Sequence, residues 1–114
     1  MKDRKKFFLN CHLAGRAYHD ADEVWDELNV GTLVHLVYDD DNKYDPNAVA
    51  VQYIREGETE PYTIGYLPRS ENSSIAAILS MGWTDIFECR ICQKDPEQHP
   101  EEQIRLSIRV KRNE

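Results

Sequence analysis

The segment from Asn42 to Val49 groups side chains that could bind the end of a nucleic-acid strand. It places the aromatic ring of Tyr44 beside the carboxylate of Asp45, and the amides of Asn42 and Asn47 flank this pair. An aromatic ring can stack on a nucleobase, and a carboxylate can accept a hydrogen bond from a sugar hydroxyl. The same residues are also typical of an ordinary turn, in which Asp45 or Asn47 accepts hydrogen bonds from backbone amides. Sequence alone leaves both interpretations open.

The three cysteines and four histidines do not make up a complete metal site, and no feature of the sequence supports a cysteine nucleophile with a histidine base. Cys89 and Cys92 have the spacing of a zinc knuckle, but a zinc site needs four ligands and the sequence has no second pair. Thiols three residues apart on a strand point to opposite faces, so we expect Cys89 to be buried, and Cys11 likewise. We therefore expect no metal, no cofactor and no catalytic residue, and a protein that binds rather than catalyses.

Apolar residues alternate with a period of two along much of the chain, which predicts mostly β-strands. Six strands are expected, at residues 7–14, 32–38, 48–54, 62–67, 85–94 and 104–111. The second is apolar on both faces, as in a buried strand. One or two helical turns are expected at 20–28, and a helix capped by Ser70 should end at Gly82. The prediction is a mainly β fold, a small barrel or roll with one short α-helix and one extra helical turn.

The length of 114 residues predicts a single domain over residues 1–114, with its core at about 7–111. No apolar run approaches the roughly 20 residues that cross a bilayer. Phe7-Phe8-Leu9 is too short for the apolar part of a signal peptide. With an odd number of cysteines as well, we expect a cytoplasmic protein with no membrane contact.

The net charge of −7 opposes a nucleic-acid partner, although its distribution is uneven. Acidic residues cluster at 20–27, 39–45 and 95–102. Basic residues gather near the two ends of the chain, at Lys2, Arg4, Lys5, Lys6, Arg105, Arg109, Lys111 and Arg112. If the terminal strands are neighbours, these basic residues would form one positive stripe; otherwise they are solvated strand faces and tails.

Several short motifs in a fixed order resemble the HIRAN domain. Gly15-Arg-Ala-Tyr18 comes first, then the Tyr44-Asp45 turn, then Ile64-Gly-Tyr-Leu-Pro68 and a short helix. The resemblance covers roughly residues 10–110. It implies an OB-fold-like or SH3-like β-barrel, and a role in DNA repair or replication-fork processing. HIRAN domains occur in Swi2/Snf2-type translocases and as separate small bacterial proteins.

The resemblance also implies a binding site for single-stranded DNA or a free 3′-hydroxyl end. By similarity, Tyr44 would stack on the terminal nucleotide, Asp45 would accept a hydrogen bond from its hydroxyl, and Tyr18 would form a second aromatic wall. Tyr66 would lie near the strand, and Arg16 and Asn42 complete the expected set, with Asn42 holding the turn. The chain departs from the family at Ala17, where an arginine is expected. Arg16 precedes it by one residue, and such a shift turns a strand side chain to the other face.

Two other functions remain open at this stage. The acidic surface would suit a protein-interaction module that docks a basic partner, such as a translocase or a nuclease. A small metal-dependent nuclease could use the carboxylates of Asp39, Asp40 and Asp41, since hard cations prefer such ligands. The sequence does not indicate an oligomeric state.

Overall fold

The computed structural model describes residues 4–113, which form six strands, one α-helix and three short 3-10 segments. The strands are β1 Lys5–His12, β2 Leu33–Tyr38, β3 Val49–Tyr53, β4 Tyr62–Tyr66, β5 Phe87–Lys94 and β6 Ile104–Lys111. Helix α1 spans Ser73–Ser80, and the 3-10 segments are Arg16–Tyr18, Asp20–Glu27 and Pro100–Glu102. Every strand pair is antiparallel, in the order β1-β6-β5-β2-β3-β4.

The sheet closes on itself where the chain leaving β1 meets the end of β4. The backbones of Ala14 and Tyr66 exchange two hydrogen bonds of 2.9 Å each. This close approach requires glycine at position 65, because a Cβ there would lie 2.6 Å from the Ala14 carbonyl oxygen and 2.8 Å from the Leu13 side chain. The closed sheet is an OB-fold-like barrel, and the mainly β prediction is confirmed.

The core fills the barrel with the inward residues of the alternating strands. In β6, Ile104, Leu106 and Ile108 are fully buried, as their alternation with Arg105, Ser107 and Arg109 predicts. Ile75 and Leu79 of α1 join this cluster from the helix face that the sequence predicts. Cys11 and Cys89 are buried and Cys92 is exposed, as expected from the spacing. Burial raises the pKa of the Cys11 thiol to about 12, so this thiol stays protonated and unreactive.

Two strands differ from the sequence prediction in which side chains they bury. In β1 the pairing register shifts between Phe7 and Leu9, so Phe7 is exposed although the alternation places it with the buried Cys11. Strand β2 buries only Val34, whereas Leu33 and Val37 are exposed. The prediction of a β2 buried on both faces is wrong, because the strand pairs with β5 over two residues only and its outer face stays open.

The helical turns predicted at 20–28 are confirmed, and the helix predicted after β4 needs one correction, at its first residues. Ser70 does not cap α1, because the amide of Glu71 donates to the Pro68 carbonyl and the helix begins only at Ser73. The residue before the helix is Asn72, and its side-chain amide is engaged elsewhere. The segment Asp20–Glu27 is a 3-10 helix interrupted by a kink at Val24. The prediction of Gly82 as the helix stop is confirmed by its φ of 93° just after the helix end.

The terminal strands are neighbours, as the predicted positive stripe requires, with Lys5 opposite Lys111. Acidic side chains on or beside β5 neutralise part of this stripe. Lys5 lies 2.8 Å from Glu88, and Lys111 lies 2.6 Å from Asp85. The pKa of both carboxyls is lowered, first of all by the hydrogen bond from the lysine. Lys2 lies outside the described residues. None of the helices in residues 4–113 is long and apolar enough to cross a membrane.

Candidate functional site

The turn that joins β2 to β3 is held by the side chains of Asn42 and Asp45. The Asn42 Oδ1 atom accepts hydrogen bonds of 2.9 Å from the backbone amides of Tyr44 and Asp45. The Asp45 Oδ1 atom accepts another of 2.9 Å from the amide of Asn47. This is the turn chemistry that these residue types favour. It leaves the Tyr44 ring 86% exposed on a fixed backbone.

The second oxygen of Asp45 is tied to the beginning of α1. Asn72, which is buried, donates from Nδ2 to Asp45 Oδ2 over 2.9 Å. Arg69 lies 3.7 Å from the same oxygen and donates to the Tyr44 carbonyl over 2.7 Å. A carboxylate has about four acceptor positions, so Asp45 can accept a further donor while its orientation stays fixed.

Tyr66 lies between the turn and the chain that follows β1. Its hydroxyl donates to Asp39 Oδ2 over 2.8 Å, and the His19 ring lies 5.1 Å from its ring. Burial, and then the hydrogen bond to Asp39, raise the pKa of Tyr66 to about 12. The phenol is therefore a neutral donor at physiological pH, and its ring connects the turn to residue 19.

Tyr18 directly precedes His19 in the chain, and it is 85% exposed. Gly15 adopts a φ of 70° and starts the first 3-10 segment, whose last residue, Tyr18, donates its amide to the Gly15 carbonyl over 3.0 Å. A φ in this range favours glycine over other residues. The structure thus presents two exposed tyrosines, Tyr18 and Tyr44, from the two segments that Tyr66 connects.

Arg16 does not join these residues. Its side chain is only 10% exposed, and its guanidinium lies 4.1 Å from the centre of the Trp25 ring and 2.7 Å from Asp22. Tyr18, two residues later, is exposed, so the short 3-10 segment separates the two side chains. Arg16 and Ala17 lie in this 3-10 segment, so the strand geometry assumed for the one-residue shift does not apply here.

Three residues of this site carry no signal in the sequence. Asn72 and Arg69 follow β4 and reach Asp45 across 27 and 24 residues, and His19 meets Tyr66 across the barrel closure. Only the closed barrel brings them together. A further cation, Lys43, is exposed in the turn itself.

Negative charge also lies beside the site. Asp40 and Asp41 are exposed beside the turn, and Asp39 is committed to Tyr66. Within the part of the chain that the structure describes, no group of three or more His, Cys, Asp or Glu residues could hold a metal ion. The geometry shows an anchored acceptor, Asp45, next in the chain to the exposed ring of Tyr44.

The molecule is thus a small OB-fold-like barrel that carries a polar turn and two exposed tyrosines. The HIRAN domain model matches residues 6–112. The chain therefore belongs to the HIRAN domain family, a family of binding domains known for DNA binding.

Two solved structures share the fold. A protein from Lactobacillus plantarum is 22% identical with a TM-score of 0.71, and the match covers 95% of this chain and 97% of that chain. The HIRAN domain of human HLTF is 18% identical with a TM-score of 0.60, and the match covers 97% of this chain and 84% of that chain. No curated protein matches the chain.

Proposed function

We propose that this protein binds single-stranded DNA at its 3′-hydroxyl end. The observation that carries the proposal is the Asp45 carboxylate, which Asn72 and the Asn47 amide hold in place beside the exposed ring of Tyr44. A fixed carboxylate accepts a hydrogen bond from a hydroxyl and repels a phosphate. Such a repulsive contact gives specificity against 3′-phosphorylated ends.

Each residue of the site has a distinct role in this proposal. Tyr44 and Tyr18 stack on the last bases, each stack contributing about 1–3 kcal/mol. Tyr66 lines the floor next to the strand, and Asn42 keeps the turn in shape. Arg16 acts indirectly, because its contact with Trp25 fixes the segment that presents Tyr18.

Lys43 and Arg69 are the cations best placed to meet the phosphates of the last nucleotides. Lys43 is exposed next to Tyr44, and the guanidinium of Arg69 is held by the Tyr44 carbonyl. They supply positive charge, which Ala17 lacks and which the buried Arg16 does not offer to a ligand. In a cell, such a module would bring a cytoplasmic repair or fork-processing machine to DNA ends, without catalysis of its own.

The test is fluorescence anisotropy at low salt, with a labelled single-stranded oligonucleotide that ends in either a 3′-hydroxyl or a 3′-phosphate. We expect tighter binding to the hydroxyl end. Asp45→Ala should abolish the difference between the two ends, and Tyr44→Ala should weaken binding to both. Because stacking contributes about 1–3 kcal/mol per base, the loss for Tyr44→Ala should be roughly 5- to 150-fold.

Trp83→Ala is the matched aromatic control. Trp83 is exposed but lies beyond the end of α1, whereas Asn72 lies at the start of this helix, about 12 Å away along the helix axis. This variant should bind both oligonucleotides like the unmodified protein. Equal binding of both ends by the unmodified protein, or an Asp45→Ala variant that keeps the preference, would refute the assigned site.

A further inference from the structure

The outer face of the sheet formed by β1, β6 and β5 carries a groove of about 460 Å³. Lys5, Arg90 and Arg109 line this groove, together with a single carboxylate, that of Glu88. Its cations therefore outnumber its anions by three to one, in a chain whose net charge is −7. The groove shares no residue with the proposed DNA site, and we call it the basic groove.

Strand pairing places the three cations on one diagonal of the sheet. Lys5 is opposite Lys111 of β6, and Arg109 lies two residues from Lys111 on the same strand. Arg109 is opposite Glu88 of β5, and Arg90 lies two residues from Glu88. Directly paired residues share a face, and diagonal neighbours on that face lie about 7–8 Å apart. The basic groove thus presents a row of positive charges at regular intervals.

The three cations differ in how far they are already paired. Lys5 and Arg90 both contact the Glu88 carboxylate, at 2.8 and 3.4 Å. Arg90 also donates to the Gly31 carbonyl over 2.7 Å. The guanidinium of Arg109 is exposed and has no ion pair or hydrogen bond with any other residue of 4–113. The middle of the row therefore offers a free guanidinium to an anionic ligand.

Two exposed apolar side chains border the basic groove. Phe7 is opposite Arg109 and is 69% exposed. Val30 lines the groove and is 67% exposed. A ligand that supplied only negative charge would leave both apolar side chains in water. The surface therefore fits a ligand that has apolar groups beside its anionic groups.

Charge and spacing distinguish between the possible occupants of the basic groove. A second copy of the chain would bring the same cations face to face, and like charges repel. A nucleic-acid strand carries a phosphate on every nucleotide, so Glu88 and the net charge of −7 both oppose it. A short peptide carries negative charge only at its acidic residues. Alternate residues of an extended peptide lie about 6.7 Å apart on one side, which matches the spacing of the cations.

We propose that the basic groove binds an extended segment of a partner protein, with acidic residues at alternate positions and apolar residues at its ends. The acidic side chains pair with Lys5, Arg109 and Arg90, and the apolar side chains pack on Phe7 and Val30. This role is independent of DNA-end binding. The protein would thus hold a DNA end on one surface and an acidic partner on another.

Cys92 provides a probe inside the basic groove. It lines the groove and is exposed, whereas Cys11 and Cys89 are buried. The experiment measures how fast iodoacetamide alkylates the whole chain, with and without a synthetic peptide in which glutamate alternates with serine between two leucines. We expect this peptide to slow the alkylation of Cys92 until the rate reaches a plateau at saturation. The same peptide with glutamine in place of glutamate should leave the rate unchanged.

A single-stranded oligonucleotide that ends in a 3′-phosphate tests whether a nucleic acid occupies the basic groove instead. Its 3′-phosphate keeps it from the proposed DNA site. At the concentration at which the glutamate peptide protects Cys92, this oligonucleotide should leave the alkylation rate unchanged. If it protected Cys92 as well as the peptide does, the groove would bind phosphates and the proposal would be wrong.

Arg109→Gln removes the unpaired charge and breaks no ion pair or side-chain hydrogen bond among residues 4–113. It should weaken binding of a fluorescently labelled glutamate peptide, measured by anisotropy, by up to about fivefold, as expected for one exposed ion pair. Lys6→Gln is the matched control. Lys6 is opposite Val110, and its side chain leaves β1 on the other face from Lys5. This variant should bind the peptide like the unmodified protein.

Three further results would overturn the proposal. They are an alkylation rate that the glutamate peptide does not change, equal protection by the glutamine peptide, and equal losses of peptide affinity in Arg109→Gln and Lys6→Gln. The 3′-hydroxyl preference should persist in the Arg109→Gln protein, so failure of the basic groove and failure of the DNA site are distinguishable.

Discussion

At the scale of single residues, the proposed DNA site depends on the contrast between fixed polar groups and exposed rings. Asp45 accepts from Asn47 and Asn72, and Tyr66 donates to Asp39, so both polar groups have defined orientations before any ligand arrives. Tyr18 and Tyr44 are exposed on short segments whose backbones are hydrogen-bonded. Such preorganisation reduces the entropy that binding must otherwise overcome.

The hydrogen bond between Tyr66 and Asp39 predicts a pH-dependent contribution to stability. The pKa of Tyr66 is raised to about 12 in the folded protein and is about 10 in an unfolded chain. The stabilising contribution is therefore complete below about pH 10 and is lost as the pH rises towards 12. Tyr66→Phe should lower the free energy of unfolding by about 1 kcal/mol at neutral pH, and this difference should close in that alkaline window.

Urea unfolding of both proteins at a series of pH values measures this difference. Asp39→Asn is the control, because it keeps an acceptor but removes the charge that helps to raise the pKa. When Tyr66→Phe is made in the Asp39→Asn protein, the difference in the free energy of unfolding that it causes should disappear at a lower pH. The prediction would be contradicted if the difference in the free energy of unfolding between Tyr66→Phe and the unmodified protein stayed constant through the alkaline range.

At the scale of secondary-structure elements, closure of the barrel positions the site. The pairing of Ala14 with Tyr66 brings the segment after β1 against β4, and this places His19 on the Tyr66 ring. Arg69 and Asn72, in the short segment between β4 and α1, reach the turn between β2 and β3. The segment after β1, the turn between β2 and β3 and the segment between β4 and α1 thus meet where the sheet closes.

Gly65→Ala tests this dependence. The new Cβ would lie 2.6 Å from the Ala14 carbonyl oxygen, so the backbone must move. We expect a loss of about 1–3 kcal/mol in the free energy of unfolding, as for other overpacked sites. The 3′-hydroxyl preference should also weaken, because Tyr66 and the segment with Tyr18 move apart.

Gly57→Ala is the control for a general effect of replacing glycine. A Cβ at position 57 meets nothing within 4 Å, but φ there is 85°, so the variant carries backbone strain without a clash. It should lose stability and still bind DNA ends normally in the anisotropy measurement. If Gly65→Ala bound DNA ends normally, the pairing of Ala14 with Tyr66 would not be what positions the site.

At the scale of the whole molecule, the charge distribution limits how DNA can bind. The net charge is −7, and the basic stripe along β1 and β6 is partly neutralised by Glu88 and Asp85. Broad electrostatic attraction to DNA is therefore weak, and the proposed end recognition relies on stacking and hydrogen bonds.

A shallow salt dependence follows from this distribution. If only Lys43 and Arg69 contact phosphates, the logarithm of the binding constant should fall with the logarithm of salt concentration with a slope of about −1.4. Anisotropy titrations at several sodium chloride concentrations measure this slope. A slope steeper than about −3 would mean that the basic stripe also binds the strand. Arg69→Gln should make the slope shallower by about 0.7.

Local sequence patterns are enough to predict the strands and the chemical nature of the candidate residues. Period-two alternation predicts β5 and β6 and their buried residues correctly, because side chains on a strand alternate between faces whatever the rest of the fold does. The turn chemistry of Asn42 and Asp45 is also local, so residue types alone indicate it. The resemblance of several motifs to the HIRAN domain predicts the family, and the match over residues 6–112 confirms it.

Which side chains contact each other depends on the tertiary structure. The exposure of Phe7 follows from a register shift against β6, and the open face of β2 follows from its short pairing with β5. The burial of Arg16 on Trp25 and the contact of Asn72 with Asp45 join residues from separate elements. No periodicity encodes such contacts, because they depend on how the barrel closes rather than on the conformation of any one segment.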